Sequence, residues 1–231
     1  VSFDEAQETF TARYTHETVA LAFAITEEAI EDNLYDRLAA RYTKALARSM
    51  SNAKQVKSVE PLINGLPSTN TFKSGDGVSL FNTSHTTVAG SFKNTLSTQA
   101  DLNETSLEQS LIDIAAITDE RGLRVAARGV KMIIPSELQF TAERLMKSQG
   151  RTGTADNDIN AIVSMGMVPQ GYRINNYLTD SDAFYIITDV PNGMKMFTRA
   201  PLTTAMEGDF DTGNVRYKAR ERYVFGVSDP R

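Results

Sequence analysis

The chain has 231 residues, 41% of them hydrophobic, which is enough to bury a substantial core in one or two domains and excludes a disordered chain. It contains neither cysteine nor tryptophan, so a disulfide framework and a thiolate metal site are excluded, and stability must come from packing or from neighbouring subunits. A formal net charge of -5 argues against a protein whose main work is to grip nucleic acid by neutralising phosphates.

From Val1 onward there is no basic region leading into an apolar core, and nowhere a run of about 18 apolar residues, so nothing supports secretion or membrane insertion. Phe10, Ala12 and Tyr14 alternate with polar residues, and Val19, Leu21, Phe23 and Ile25 alternate with Ala or Thr, which predicts strand structure. A strand region that begins this abruptly is expected to lack its partner, leaving residues 1–25 poorly supported within their own subunit.

At Thr26 the period changes. Ala29, Ile30, Leu34, Leu38, Tyr42, Leu46 and Met50 recur every three or four residues, predicting one long amphipathic helix. Thr26 is its N-cap, while Glu27, Glu28, Glu31 and Asp32 load the first turns and Arg41, Lys44 and Arg48 follow, in accord with the helix dipole. Pro61 should end or kink the helix near Glu60, and Gly65 is a natural stop. Roughly 34 residues make a rod about 50 Å long, whereas a compact chain of this length has a radius of gyration of about 17 Å. An elongated subunit is therefore expected.

Between Leu66 and Glu104 the chain is rich in Ser, Thr, Asn and Gly, with Ser74-Gly75-Asp76-Gly77 a strong turn signal. This predicts a long loop or a few short strands, preferably an extended projection that touches other subunits. Thr105 and Glu108 then read as a capping box for a helix that runs to Arg121 and stops at Gly122. Val130–Ile134 reads as a buried strand, Pro135-Ser136 as the entry to a helix carrying Leu138, Ala142, Leu145 and Met146, and Asp158–Met165 as a short helix. After Gly171 strands are predicted near Tyr172–Leu178, Phe184–Thr188, Met194–Arg199 and Asn214–Val227, with turns at Asp180-Ser181-Asp182 and Pro191-Asn192-Gly193.

Several short motifs carry possible chemistry. Asp211-Thr212-Gly213 spells the aspartic-protease signature, which needs two carboxylates in one cleft; only one copy is present, and Asp-Thr-Gly-Asn is an ordinary hairpin turn. Asp156-Asn157-Asp158 and Gly208-Asp209-Phe210-Asp211 offer oxygen ligands, but neither completes a calcium loop with a terminal Glu, and a helix cap and a turn account for them. His16 and His85 are the two histidines, in separate segments, and make neither a zinc site nor a triad; Ser84 beside His85 lacks the sharp elbow of an activated serine, so His85 reads as a solvent-facing loop residue. Arg216, Lys218, Arg220 and Arg222 alternate with Tyr217, Ala219, Glu221 and Tyr223, which in a strand puts the cations on one face. Such a stripe suits a nucleic-acid groove or, better, salt bridges between subunits. No catalytic, cofactor-binding or metal-ligating residue is assigned.

The runs Tyr14–Thr18, Thr26–Asn33, Asn157–Gly166 and above all Met206–Tyr223 resemble the major head proteins of tailed phages, in particular the group related to the phage Mu head subunit. The resemblance covers nearly the whole chain. It implies an α+β subunit of the HK-ninety-seven-type capsid fold, in which an extended loop, a long spine helix, a peripheral domain and an axial domain form one thin molecule. On that comparison residues 1–25 are the descending half of the extended loop, 26–104 the peripheral domain with the spine helix, 105–213 the axial domain, and 214–231 a C-terminal strand returning to the periphery. The family's N-terminal arm and the ascending half of its extended loop have no counterpart here. No lysine precedes Lys44, so the lysine-to-asparagine cross-link of some members is not carried over.

The function so implied is that of a non-catalytic major capsid protein, self-assembling in hexamers and pentamers into an icosahedral shell around double-stranded DNA. Portal and scaffold or decoration proteins would be its further partners, without a membrane or cofactor, and its place the virion, built in the host bacterial cytoplasm. An encapsulin-like compartment shell protein is the alternative, and an aspartic-type protease using Asp211 a remote one.

Overall fold

A computed structural model of the chain describes residues 10–32, 35–69, 71–151 and 158–231, with backbone alone at 35–38. In chain order the elements are β1 (Glu17–Ile25), α1 (Glu27–Glu31), α2 (Tyr35–Ile63), β2 (His85–Thr87), β3 (Gly90–Phe92) and α3 (Glu104–Ala115). They are followed by β4 (Gly129–Ile134), α4 (Gln139–Lys147), α5 (Ala161–Ser164), β5 (Tyr172–Ile174), β6 (Tyr185–Thr188), β7 (Met194–Gly208) and β8 (Val215–Val227). Helix and strand are mixed, as expected for an α+β chain. They fall into two compact units, one built mainly from Val59–Gly193 and Val227–Arg231, the other from Arg13–Ser58 and Met194–Gly226.

The second unit is organised by a sheet of order β1-β8-β7. β1 pairs antiparallel with β8 over its full length, from Glu17 opposite Tyr223 to Ile25 opposite Val215. This corrects the expectation of an unsupported segment: residues 17–25 find their partner some two hundred positions later, beyond the reach of any local pattern. The strand expected at Phe10–Tyr14 is absent, and Tyr14 packs rather than pairs. The Tyr14 ring lies over Gly226, where a Cβ would collide with it, and stands 4.9 Å from the Phe197 ring. The part of the 1–25 expectation that falls on residues 1–9 lies outside the described residues.

Alternation along β8 turns Ala219 onto α2, where Leu46 and Met50 close a small core against Ala219, Val19 and Phe23. Phe23 stacks on Tyr217 at 4.9 Å. Burial of an aliphatic side chain such as Leu46 contributes about 1.5–3 kcal/mol.

Thr26 caps its helix as expected, its Oγ1 accepting from the Ala29 N–H at 3.4 Å. That helix, however, is only α1, closed at Asp32, and the single long helix resolves into α1 and a 29-residue α2. Glu27 and Glu31, and Glu28 and Asp32, are like charges four residues apart, which disfavours continuation. The helical positions expected at Leu34 and for the side chain of Leu38 lie outside the described residues. Pro61 does not end α2, which continues to Ile63. Its missing N–H costs one bond in the last turn, and burial of Val59, Pro61 and Leu62 offsets it. Gly65 follows because of close approach: a Cβ there would lie 2.5 Å from the Pro61 carbonyl oxygen and 2.9 Å from Leu80 Cβ.

The first unit holds a sheet of order β5-β4-β6, with β4 parallel to β5 and antiparallel to β6. Its main core joins Leu107 and Leu111 of α3, Met132 and Ile134 of β4, Ala142 and Leu145 of α4 and Ile162 of α5. A second cluster joins Val59 and Leu62 to Leu178 and Tyr185, and the Tyr185 hydroxyl reaches the Leu62 carbonyl at 3.3 Å.

Several boundaries differ from expectation: β5 ends at Ile174 and not Leu178, α5 covers only Ala161–Ser164 of the helix expected at Asp158–Met165, and three more have a local cause. The cap of α3 is Asn103, whose side chain accepts from the Ser106 N–H at 2.9 Å while the Ser106 hydroxyl accepts from the Asn103 N–H at 3.0 Å. The Thr105–Glu108 box is thus displaced by a better one two residues earlier. α3 also stops at Ala115, because Asp119 takes the N–H groups of Arg121 and Leu123 at 2.9 and 2.8 Å and folds a turn around Gly122, whose φ is +80°. Finally, β7 runs nine residues beyond Arg199. Pro201 within it is tolerated because β7 is an edge strand.

Candidate functional site

The motifs that could have carried catalysis are dispersed. Asp211 is exposed in the turn between β7 and β8, where Gly213 has a φ of +70°. Beside it Asp209 is occupied, accepting the Thr212 hydroxyl at 2.8 Å and pairing with Arg216. Gly208–Asp211 is therefore a hairpin turn and not an ion cradle, and no group of three or more metal-ligating side chains occurs among the described residues. Asp156 and Asn157 lie outside the described residues, while the carbonyl of Asp158 accepts from the Arg151 N–H at 2.9 Å. No helix among the described residues is long and apolar enough to cross a membrane.

His85 is not the solvent-facing residue expected. It is 1% exposed, and its Nδ1 donates to Asp76 Oδ2 at 2.8 Å. The carboxylate can only accept, so the hydrogen sits on Nδ1. Asp76 also takes the Ser74 hydroxyl at 2.6 Å and the Val78 N–H at 3.3 Å. Burial would raise the Asp76 pKa, but the hydrogen bonds from Ser74 and His85 outweigh it and hold the carboxyl below its ordinary value. Phe92 stacks on His85 at 5.1 Å, and the Arg231 guanidinium sits 4.8 Å above Phe92. This constellation ties the turn at Ser74–Val78 to the β2–β3 hairpin and the chain's end. It is a structural clasp with Ser84 outside it: the Ser84 N–H donates to Asn82 at 3.0 Å. The Ser-Gly-Asp-Gly run carried the turn signal, but nothing in it pointed to His85.

What the second unit offers is surface. β7 is an edge strand, and nearly all its side chains are exposed, among them Met194, Met196, Phe197, Leu202 and Met206. Phe210, at the turn that follows, is wholly exposed. On β8 the four cations Arg216, Lys218, Arg220 and Arg222 all stand exposed, as alternation required. A bare apolar edge strand is a template for another chain, and a concentration of exposed apolar side chains marks an interaction surface.

Residues 8–231 match the model of a family described as phage capsid protein. The chain belongs to the phage capsid protein family. Its fold agrees: it superposes on the capsid of the Myoviridae phage XM1 with a TM-score of 0.55 and 14% identity, covering 94% of this chain and 71% of that one. A second solved structure, the capsid of an empty GTA particle, gives a TM-score of 0.54 and 15% identity over 94% of this chain and 70% of that one. No curated protein matches the chain. As a phage capsid protein it is a structural shell subunit of the HK-ninety-seven-type fold, self-assembling rather than catalytic, and its place is the virion. Exposed apolar residues on β7 and its turn are what a shell subunit needs and an isolated enzyme does not.

Proposed function

We propose that this capsid protein is the major head subunit of a tailed phage related to the phage Mu group, closing as hexamers and pentamers into an icosahedral shell around double-stranded DNA. The observation that carries this reading is the exposed apolar edge formed by Met194, Met196, Leu202, Met206 and the adjoining Phe210. Permanent interfaces bury on the order of 2,000 Å² or more, and such an edge supplies apolar area for one.

The domain division implied by the fold belongs to the same proposal: extended loop in residues 1–25, peripheral domain with spine helix in 26–104, axial domain in 105–213 and returning strand in 214–231. Pairing of β1 with β8 supports joining the first and last of these, and the adjacency of β7 to β8 draws 194–208 toward the same sheet. Portal and scaffold or decoration proteins are the further partners of the shell, and assembly takes place in the host bacterial cytoplasm. A net charge of -5 suits a wall that encloses DNA without clinging to it.

Electron microscopy of purified particles tests the reading. Closed icosahedral shells with six-fold and five-fold clusters are expected. A stable monomer or dimer at high concentration, with no particles under any condition, would overturn it.

A further inference from the structure

We propose that the outer face of β8 is a docking surface for the acidic segment Glu27–Asp32 of a second copy of this chain. The inference rests on the shell reading and adds to it which residues meet.

Arg216, Lys218, Arg220 and Arg222 project from one face of β8 and are exposed. Across the ladder, their partners on β1 are Ala24, Ala22, Ala20 and Thr18 respectively, so no long side chain on that strand covers or neutralises them. Arg216 pairs with Asp209, while Lys218, Arg220 and Arg222 form no ion pair among the described residues. The result is a cationic strip left uncovered on its β1 side. Its charge lowers subunit stability through self-repulsion and does nothing for the core, which lies on the opposite face at Ala219.

The complementary feature lies in the same unit. Glu27, Glu28, Glu31 and Asp32 are exposed and form no ion pair among the described residues. The like-charged pairs Glu27–Glu31 and Glu28–Asp32 weaken α1 as an isolated helix, and Glu31 and Asp32, beyond its first turn, gain nothing from its dipole. Spacing agrees as well as sign. Alternate cations on a strand recur about every 6.8 Å, and residues four apart on a helix rise about 6 Å. The segment rises about 7.5 Å from Glu27 to Asp32, so its carboxylates can lie along two neighbouring cations of the strip at a time. Because every copy carries both features on different residues, the contact can run head to tail from one copy to the next, as the rings of the shell reading require. Nucleic acid is the competing occupant of a cationic strip, but stacking aromatics are not on this face: Tyr217 and Tyr223 alternate with the cations and point to the other side.

Reciprocal charge reversal in the complete subunit tests the assignment. Lys218→Glu with Arg220→Glu, and separately Glu28→Lys with Glu31→Lys, should each lower particle yield on the order of tenfold at low salt, since opposed like charges suppress association. Combining both sets should restore the yield. Circular dichroism of the unassembled variants should show native secondary structure, which separates lost docking from lost folding. Failure of the combined set to recover any assembly, or normal yield from either reversed set, overturns the inference while leaving the shell reading intact. Normal particles that lose packaged DNA on reversal of the cations would assign the strip to nucleic acid and overturn it as well. If the unsubstituted subunit forms no particles, the shell reading falls and the inference with it.

Discussion

Lys54 Nζ lies 3.0 Å from Glu221 Oε2, and Glu221 is 3% exposed. The carboxylate on β8 points away from the cationic strip into the helix-facing side of the sheet, where Lys54 of α2 meets it and also stands 5.1 Å above the Tyr223 ring. Replacing Lys54 by Met leaves a buried carboxylate without its cation. Since Lys54 is itself one-third exposed, the cost is discounted to about 1–3 kcal/mol. Thermal denaturation of the unassembled subunit should show the loss, and Lys54→Met combined with Glu221→Leu should recover most of it. Additive losses in the double variant would show that the pair is not coupled.

Asp76 gives a pH signature. Its folded-state pKa lies below the ordinary 3.8, so it contributes stability that is fully present above that value and is lost as pH falls through the lower folded value. The melting temperature of the native chain should therefore exceed that of Asp76→Asn near neutrality, and the gap should narrow as the medium is acidified below 3.8. A gap that stays constant through that range would remove the linkage.

Gly226 is held by an aromatic neighbour. A Cβ there would collide with the Tyr14 ring, whose centroid also lies 4.9 Å from that of Phe197. Gly226→Ala should displace the ring and cost about 1–3 kcal/mol, as overpacking does. Tyr14→Ala should make the same glycine substitution nearly neutral, and an equal cost in both backgrounds would refute the contact.

Leu46 tests the packing of α2 on the sheet. It is 7% exposed beside Met50 and Ala219, and Leu46→Ala should cost about 2–5 kcal/mol on thermal unfolding. Unchanged stability would place the residue outside the core.

Much of this fold is local, and those parts were legible. Period changes at Thr26 and Gly171, the entry at Pro135, the turn at Pro191–Gly193 and the alternation along 215–227 are all set by neighbours within a few residues. What escaped the reading depends on distance or on competition. Two caps were available before α3, and the winner, Asn103 with Ser106, is decided by reciprocal bonds that spacing alone does not rank. Pro61 stays helical because of burial at Val59 and Leu62, which packs against Leu178 and Tyr185 far along the chain. His85 becomes buried only when the turn at Asp76 folds back on it. At the candidate surface the cationic alternation was visible, since a strand's period of two is a local property. The bareness of that face was not, because it depends on Ala20, Ala22 and Ala24 arriving from the other end of the chain.

The pairing of Glu17 with Tyr223 also sets a timetable. β8 is translated some two hundred residues after β1, so β1 waits through the synthesis of everything between them with its hydrogen-bonding edge open, and the sheet that presents the cationic strip cannot exist before β8 has been made. Long-range pairing of this kind is slow, because the loop between the strands must close before any contact rewards it. A nascent chain that has not reached β8 thus lacks the surface by which copies would recognise one another. Recognition through the cationic strip therefore waits until β8 has been made and has paired with β1.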